Sequence, residues 1–132
     1  MTKSSKSYHH GNLKQELILC ACRLCEEHGY ESLSMRSIAK ESGVSQTAPY
    51  RHFDTKESLY AYVAMEGFKK LSAATNIDIS KKVTKDNMIK TGINYINFGL
   101  GNANTYDLMF GTAVGDFSNY PDLLDCEIGR AS

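Results

Sequence analysis

The 132 residues carry 15 Lys and Arg against 15 Asp and Glu, so the whole molecule has no net attraction to polyanions, and any nucleic-acid contact must come from local placement of charge. The length suits one domain, or a module of about 50 residues with part of a second. No run approaches the roughly 18 apolar residues of a membrane span, and the polar opening MTKSSKSYHHG is unlike a signal peptide. Three of the four cysteines, Cys20, Cys22 and Cys25, are clustered, unlike the spread-out framework of a secreted disulfide protein. These features predict a cytoplasmic protein with reduced thiols and no membrane partner.

Charge is unevenly distributed. Residues 1–70 hold ten basic and eight acidic side chains plus the four histidines, whereas the remainder holds five basic and seven acidic. The first half is mildly basic and the second mildly acidic.

In chain order, a small, basic and polar lead-in ends in YHHGNL, with His9 and His10 read as part of an arm. Leu13, Leu17, Ala21, Leu24 and Cys25 then recur at helical spacing. Asn12 is the expected cap of this first helix and Gly29 its stop; His28 suits the negative end of its dipole. A second, short helix follows in SMRSIAKES, with Ser34 as cap, Met35, Ile38 and Ala39 as its buried stripe and Gly43 as its end. Only Gly43 and Val44 separate it from a third short helix, capped by Ser45 and running to about His52. Pro49 would be the fourth residue of that helix, sacrificing one early backbone hydrogen bond at a cost confined to the first turn. Asp54 or Thr55 caps a fourth helix marked by Leu59, Tyr60, Val63, Gly67, Phe68 and Leu71.

The polar stretch TNIDISKKVTKD breaks the periodicity and reads as a loop. Beyond it, Ile89, Ile93, Ile96 and Leu100 mark a fifth helix ending at Gly101. Asn104 is the expected cap of a sixth, bearing Tyr106, Met109 and Phe110, and Pro121 suits the first position of a seventh. No strand-like alternation competes, so the predicted fold class is all-α.

Helices two and three have the lengths and tight glycine-containing turn of a helix-turn-helix, whose second helix lies in the DNA major groove. The side chains expected on its outer face fit that task. Gln46 carries an amide that can pair with adenine N6 and N7, Thr47 and Ala48 can meet a thymine methyl or a base edge, and Arg36 can reach guanine or phosphate. Ser45, Tyr50, His52 and Lys56 are donors suited to phosphate oxygens, next to the free N–H groups at the start of helix four.

The run LSMRSIAKESGVSQTAPYRHFDTKESLYAYVA, preceded by EEHGYES, resembles the N-terminal DNA-binding domain of the TetR family of transcriptional regulators over about residues 8–71. YHHGNL and the later YDLMFG are similar to the branch with a WHG-type C-terminal domain. The resemblance implies a three-helix DNA-binding domain over residues 8–55 and a helical ligand-binding and dimerisation domain, here partial, over residues 56–132. It implies a homodimer on a palindromic double-stranded operator, with base contacts from Arg36, Gln46, Thr47 and Ala48 and phosphate contacts from Ser45, Tyr50, His52 and Lys56. Family members run to about 200 residues, so the chain reads as shortened at its C-terminus.

The function expected is a ligand-responsive regulator, a repressor, whose paired third helices occupy major grooves about 34 to 36 Å apart, or a multiple of that. A small-molecule effector in the second half would pivot helix four and spoil the spacing. Tyr95, Phe98, Tyr106, Met109 and Phe110 are the expected pocket; ordinary helix packing is the alternative reading of the same residues. A thiol- or metal-responsive module using Cys20, Cys22 and Cys25 is a competing function, but about 100° per residue puts Cys20 and Cys22 on nearly opposite sides of a helix. A DNA-binding fragment without effector control is another. No nucleophile with an adjacent base and no phosphate-cradling glycine loop is present, so an enzyme is not expected, and neither a cofactor nor a metal is called for.

Overall fold

The computed structural model describes residues 12–76, 80, 82–115 and 117–120. The lead-in with His9 and His10, and the expected seventh helix from Pro121, lie outside them. Among the described residues the regular elements are five α-helices and short 3-10 turns: α1 (Leu13–His28), α2 (Met35–Ser42), α3 (Lys56–Thr75), α4 (Lys85–Gly101) and α5 (Ala103–Phe110). The all-α expectation holds. The expected fourth, fifth and sixth helices are α3, α4 and α5.

α1 buries Leu17, Ala21, Leu24 and Cys25, the stripe its periodicity marks. Asn12 makes no side-chain cap bond, contrary to expectation, whereas Gly29 does end the helix at φ +89° with its N–H on the Cys25 carbonyl. α2 follows its sequence signals closely. The Ser34 hydroxyl accepts from the Ser37 N–H at 2.9 Å and the Ser37 hydroxyl accepts from the Ser34 N–H at 3.0 Å, a reciprocal capping box with Ser in the place more often taken by Glu. At the other end Gly43 sits in the left-handed region, φ +73°, and Val44 N–H closes back to the Ala39 carbonyl at 3.1 Å, the bond of a Schellman stop.

The expected third helix is corrected to a 3-10 turn, Ala48–Arg51, and Ser45 is not its cap. Pro49 supplies the reason. An α-helix starting here would require the residue 49 N–H to donate to the Ser45 carbonyl, and proline has none. That carbonyl instead takes the Ala48 N–H at 3.1 Å, and Tyr50 N–H bonds Thr47 O at 3.1 Å, both i to i+3.

Of the two possible caps of α3, Thr55 is the one used: it accepts from Ser58 N–H at 3.0 Å while Ser58 Oγ accepts from Thr55 N–H at 3.2 Å. From that end α3 runs 20 residues, about 30 Å at the standard rise, and contributes to one continuous core. Leu17 and Cys25 of α1, Ile38 of α2, Phe53, Leu59 and Val63, and then Phe98, Leu108 and Met109 belong to it. Each large apolar side chain so buried contributes roughly 1.5–3 kcal/mol.

Thr84 caps α4, which ends at Gly101 as expected. Asn104 is not a cap; it lies inside the first turn of α5. The larger surprise is the α4 stripe. Ile89, Ile93, Ile96 and Leu100 are 51%, 51%, 60% and 77% exposed, while Phe98 is buried. At 100° per residue the four lie within about 60° of one another and roughly opposite Phe98. The periodicity is there, but none of the described residues covers that face. No helix among the described residues is long and apolar enough to cross a membrane.

Candidate nucleic-acid interface

The segment from Gly43 to Lys56 is held from beneath by its apolar residues. Ala48 and Phe53 are 4% and 0% exposed, and Pro49 is fully buried. The Pro49 carbonyl accepts from both His52 N–H and Phe53 N–H at 3.0 Å, which closes the turn and directs the chain into α3. Phe53 meets Tyr62 edge-on, with ring centroids 5.6 Å apart. The Tyr62 hydroxyl in turn accepts from Lys14 Nζ at 2.8 Å, so α1 and α3 are fastened directly behind the turn.

With those residues inward, the polar ones are left outside. Ser45, Gln46, Thr47, Tyr50 and Lys56 are exposed, His52 is half-buried, and Arg36 is exposed in the first turn of α2. The Ser45 and Thr47 hydroxyls lie 3.3 Å apart. Lys56 Nζ stands 5.7 Å from the centre of the Tyr60 ring one turn on, a cation–π contact that favours one side-chain position weakly. The α3 capping box uses the Ser58 N–H and leaves those of Lys56 and Glu57 without an intrahelical acceptor, at the positive end of a long helix dipole.

Seven of the eight expected contact residues therefore share this accessible surface, and Ala48 does not. A methyl group 4% exposed in a packed turn has no access to a base edge, so Ala48 is reassigned to packing. Arg51, which sequence reasoning left unassigned, is exposed between Tyr50 and His52 and among the described residues is in no ion pair. Its place in the middle of the donor run was the available signal. Asp54 is the single carboxylate between Gly43 and Lys56.

The expected effector pocket separates into two groups. Phe98 and Met109 are core residues, 6% and 5% exposed. Tyr95, Tyr106 and Phe110 form a surface aromatic set, with the two tyrosine hydroxyls 2.9 Å apart and the Tyr106 and Phe110 rings at 4.6 Å. A trough of about 920 Å³ lies between the end of α3 and the first half of α4, and of the five expected residues only Tyr95 lines it.

The cysteines are dispersed around α1. Cys20 and Cys25 are buried and Cys22 is half-buried, and among the described residues no three His, Cys, Asp or Glu side chains converge to hold a metal. Burial, helped by the Glu66 carboxylate, pushes the Cys22 thiol up to about 12; burial likewise raises Cys25 to about 11, against a hydrogen bond with Thr105 that lowers it. Both stay protonated near neutrality, which suppresses thiolate chemistry.

Comparison with known proteins agrees with this geometry. Residues 17–63 match the family described as bacterial regulatory proteins, tetR family. The chain is 38% identical over 55 residues to the HTH-type transcriptional repressor AcnR of Corynebacterium glutamicum, covering 42% of this chain and 29% of that protein. It is 42% identical over 50 residues to an HTH-type transcriptional regulator of Staphylococcus aureus strain USA300, covering 38% and 27%. A solved Rhodococcus protein of unknown function superposes at a TM-score of 0.72 with 28% identity, over 92% of this chain and 63% of that one. A solved chain from Vibrio parahaemolyticus, 22% identical at a TM-score of 0.63, shares the fold over 87% and 62%. The matches thus span less than a third of these curated relatives and under two thirds of the solved chains. Residues 17–63 are thus similar to the N-terminal domain of the tetR family of bacterial regulatory proteins.

Proposed function

We propose that this protein is a transcriptional regulator, a repressor, that binds a palindromic double-stranded DNA operator as a homodimer in the cytoplasm and is released by a small-molecule effector. The observation that carries the reading is the division of one turn into two sides. Ala48, Pro49 and Phe53 anchor it while Gln46, Thr47, Tyr50 and Arg51 stand outside beside the Lys56 end of α3. A short rigid element with polar groups outward and a helix N-terminus alongside suits a major groove and its flanking phosphates.

In this reading Gln46, Thr47 and Arg36 meet base edges. Ser45, Tyr50, His52 and Lys56, joined by Arg51, hold phosphates and fix register. Residues 8–55 form the DNA-binding domain, and residues 56–132 belong to a helical regulatory domain. The uncovered Ile89, Ile93, Ile96 and Leu100 face supports the second assignment, because an apolar stripe of that size is a packing surface. α3 is the lever between them, with Lys56 at one end and Leu71 against the trough at the other.

Selection of bound duplexes from a random pool tests the reading. Recovery of an inverted repeat with half-sites one or more helical turns apart is expected. Recovery of no sequence preference, or of an asymmetric single site, overturns it.

A further inference from the structure

The trough between α3 and α4 is chemically one-sided. Its volume of about 920 Å³ falls within the range of ligand sites, about 300–1,000 Å³. Leu71, Val83, Met88 and the Tyr95 ring give it apolar walls, and Lys82, Lys90 and three asparagine side chains give it polar ones. Among the described residues no Asp or Glu lines it and neither lysine is ion-paired. The Tyr95 ring is held in place by the hydroxyl contact with Tyr106. On α4, Met88 and Tyr95 lie about 20° apart and more than 100° round the helix from the centre of the Ile89–Leu100 stripe, so trough and stripe are separate surfaces.

The two lysine ammonium groups on these walls disfavour a cationic ligand and gain little from a neutral one, whereas an anion is attracted by both. An anion without an apolar body leaves Leu71, Val83 and Met88 facing water. We propose that this trough binds an amphipathic anion, of which a medium-chain carboxylate is the simplest, with its chain along Leu71, Val83 and Met88 and its carboxylate met by Lys82 and Lys90. The proposal rests on the regulatory reading for its consequence, since it names the effector's chemical class, but the binding itself is measured without DNA.

The test is a calorimetric titration of the full chain with decanoate and, separately, with decanol, each below its aggregation concentration. Two variants accompany it: Lys82→Gln with Lys90→Gln, and, on the outer stripe, Ile93→Ser with Ile96→Ser. One decanoate per chain is expected, with decanoate affinity lowered about five- to tenfold in the glutamine variant, the scale of two exposed charge pairs. Decanol binding is expected to be weaker and indifferent to the lysines, and the serine variant is expected to change neither ligand. Absence of saturable decanoate binding, equal affinity for decanol, an unaffected glutamine variant or loss in the serine variant each overturns the proposal. Failure to bind decanoate by a protein that still binds DNA removes the trough assignment alone. Decanoate binding without DNA binding removes the regulatory reading and leaves the site.

Discussion

Asn104 donates its side-chain amide to the backbone carbonyl of Glu26 at 2.8 Å and so ties the start of α5 to the last turn of α1. The neighbouring Thr105 hydroxyl donates to the Glu26 carboxylate at 2.7 Å. The last carbonyls of a helix lack intrahelical partners, and here a residue 78 positions away supplies one. The helix that backs the segment from Gly43 to Lys56 is thereby fastened to the second half of the chain.

Asn104→Ala is expected to lower unfolding free energy by about 1 kcal/mol, the usual net worth of such a bond. Asn104→Asp should cost more, because it sets an acceptor against the Glu26 carbonyl. Urea unfolding followed by circular dichroism measures both; stability equal to the parent in the two variants would show that the tie contributes nothing.

Gly67 of α3 packs directly against α5. A Cβ there would lie 2.6 Å from Met109 Sδ and 2.8 Å from Thr105 Cγ2. Met109 can rotate away, but Thr105 is short, branched and engaged with Glu26. Gly67→Ala is therefore expected to destabilise by about 1–3 kcal/mol through overpacking, despite alanine's better helix propensity. A rise in Tm would contradict the close packing of these helices.

Cys22 carries a pH dependence whose sign is fixed by burial. Its thiol rises from 9.0 to about 12 on folding, so above the unfolded value the unfolded chain holds fewer protons than the folded one, and stability falls with increasing pH. The contribution is complete below about pH 9 and is lost progressively up to about pH 12. The drop in stability between about pH 8 and pH 10.5 should be smaller in Cys22→Ser than in the parent. At neutral pH, alkylation of the native thiol should be slow beside that of the urea-unfolded chain.

Sequence reasoning succeeded at several local signals, though not at the expected caps Asn12, Ser45 and Asn104. Ser34 and Gly43 bound α2, Thr55 starts α3, and the α1 stripe is buried as its spacing indicates. It failed where the outcome depends on partners far along the chain. Periodicity on α4 shows that Ile89, Ile93, Ile96 and Leu100 share a face, but not what covers that face. Aromatic content and spacing marked Phe98 and Met109 for a pocket, yet both are buried in the core.

At the candidate site, exposed Gln46, Thr47, Tyr50 and Lys56 were legible because a helix-turn-helix spacing sets their side. Ala48 was misplaced because its own N–H makes an i+3 bond to the Ser45 carbonyl, so the turn leading to it has 3-10 and not α-helical geometry. The proline is fully buried, so it both stiffens the turn and seats it on the core.

The most direct test of the central claim is fluorescence anisotropy on the selected duplex and on single-base variants of it, comparing the parent protein with Gln46→Ala and Lys56→Ala. Gln46→Ala should remove about 1–3 kcal/mol of discrimination at one base position, while Lys56→Ala should weaken all duplexes alike and reduce the salt slope by about 1. An unchanged base preference in Gln46→Ala, together with an unchanged salt slope in Lys56→Ala, would contradict this surface as the one that meets DNA.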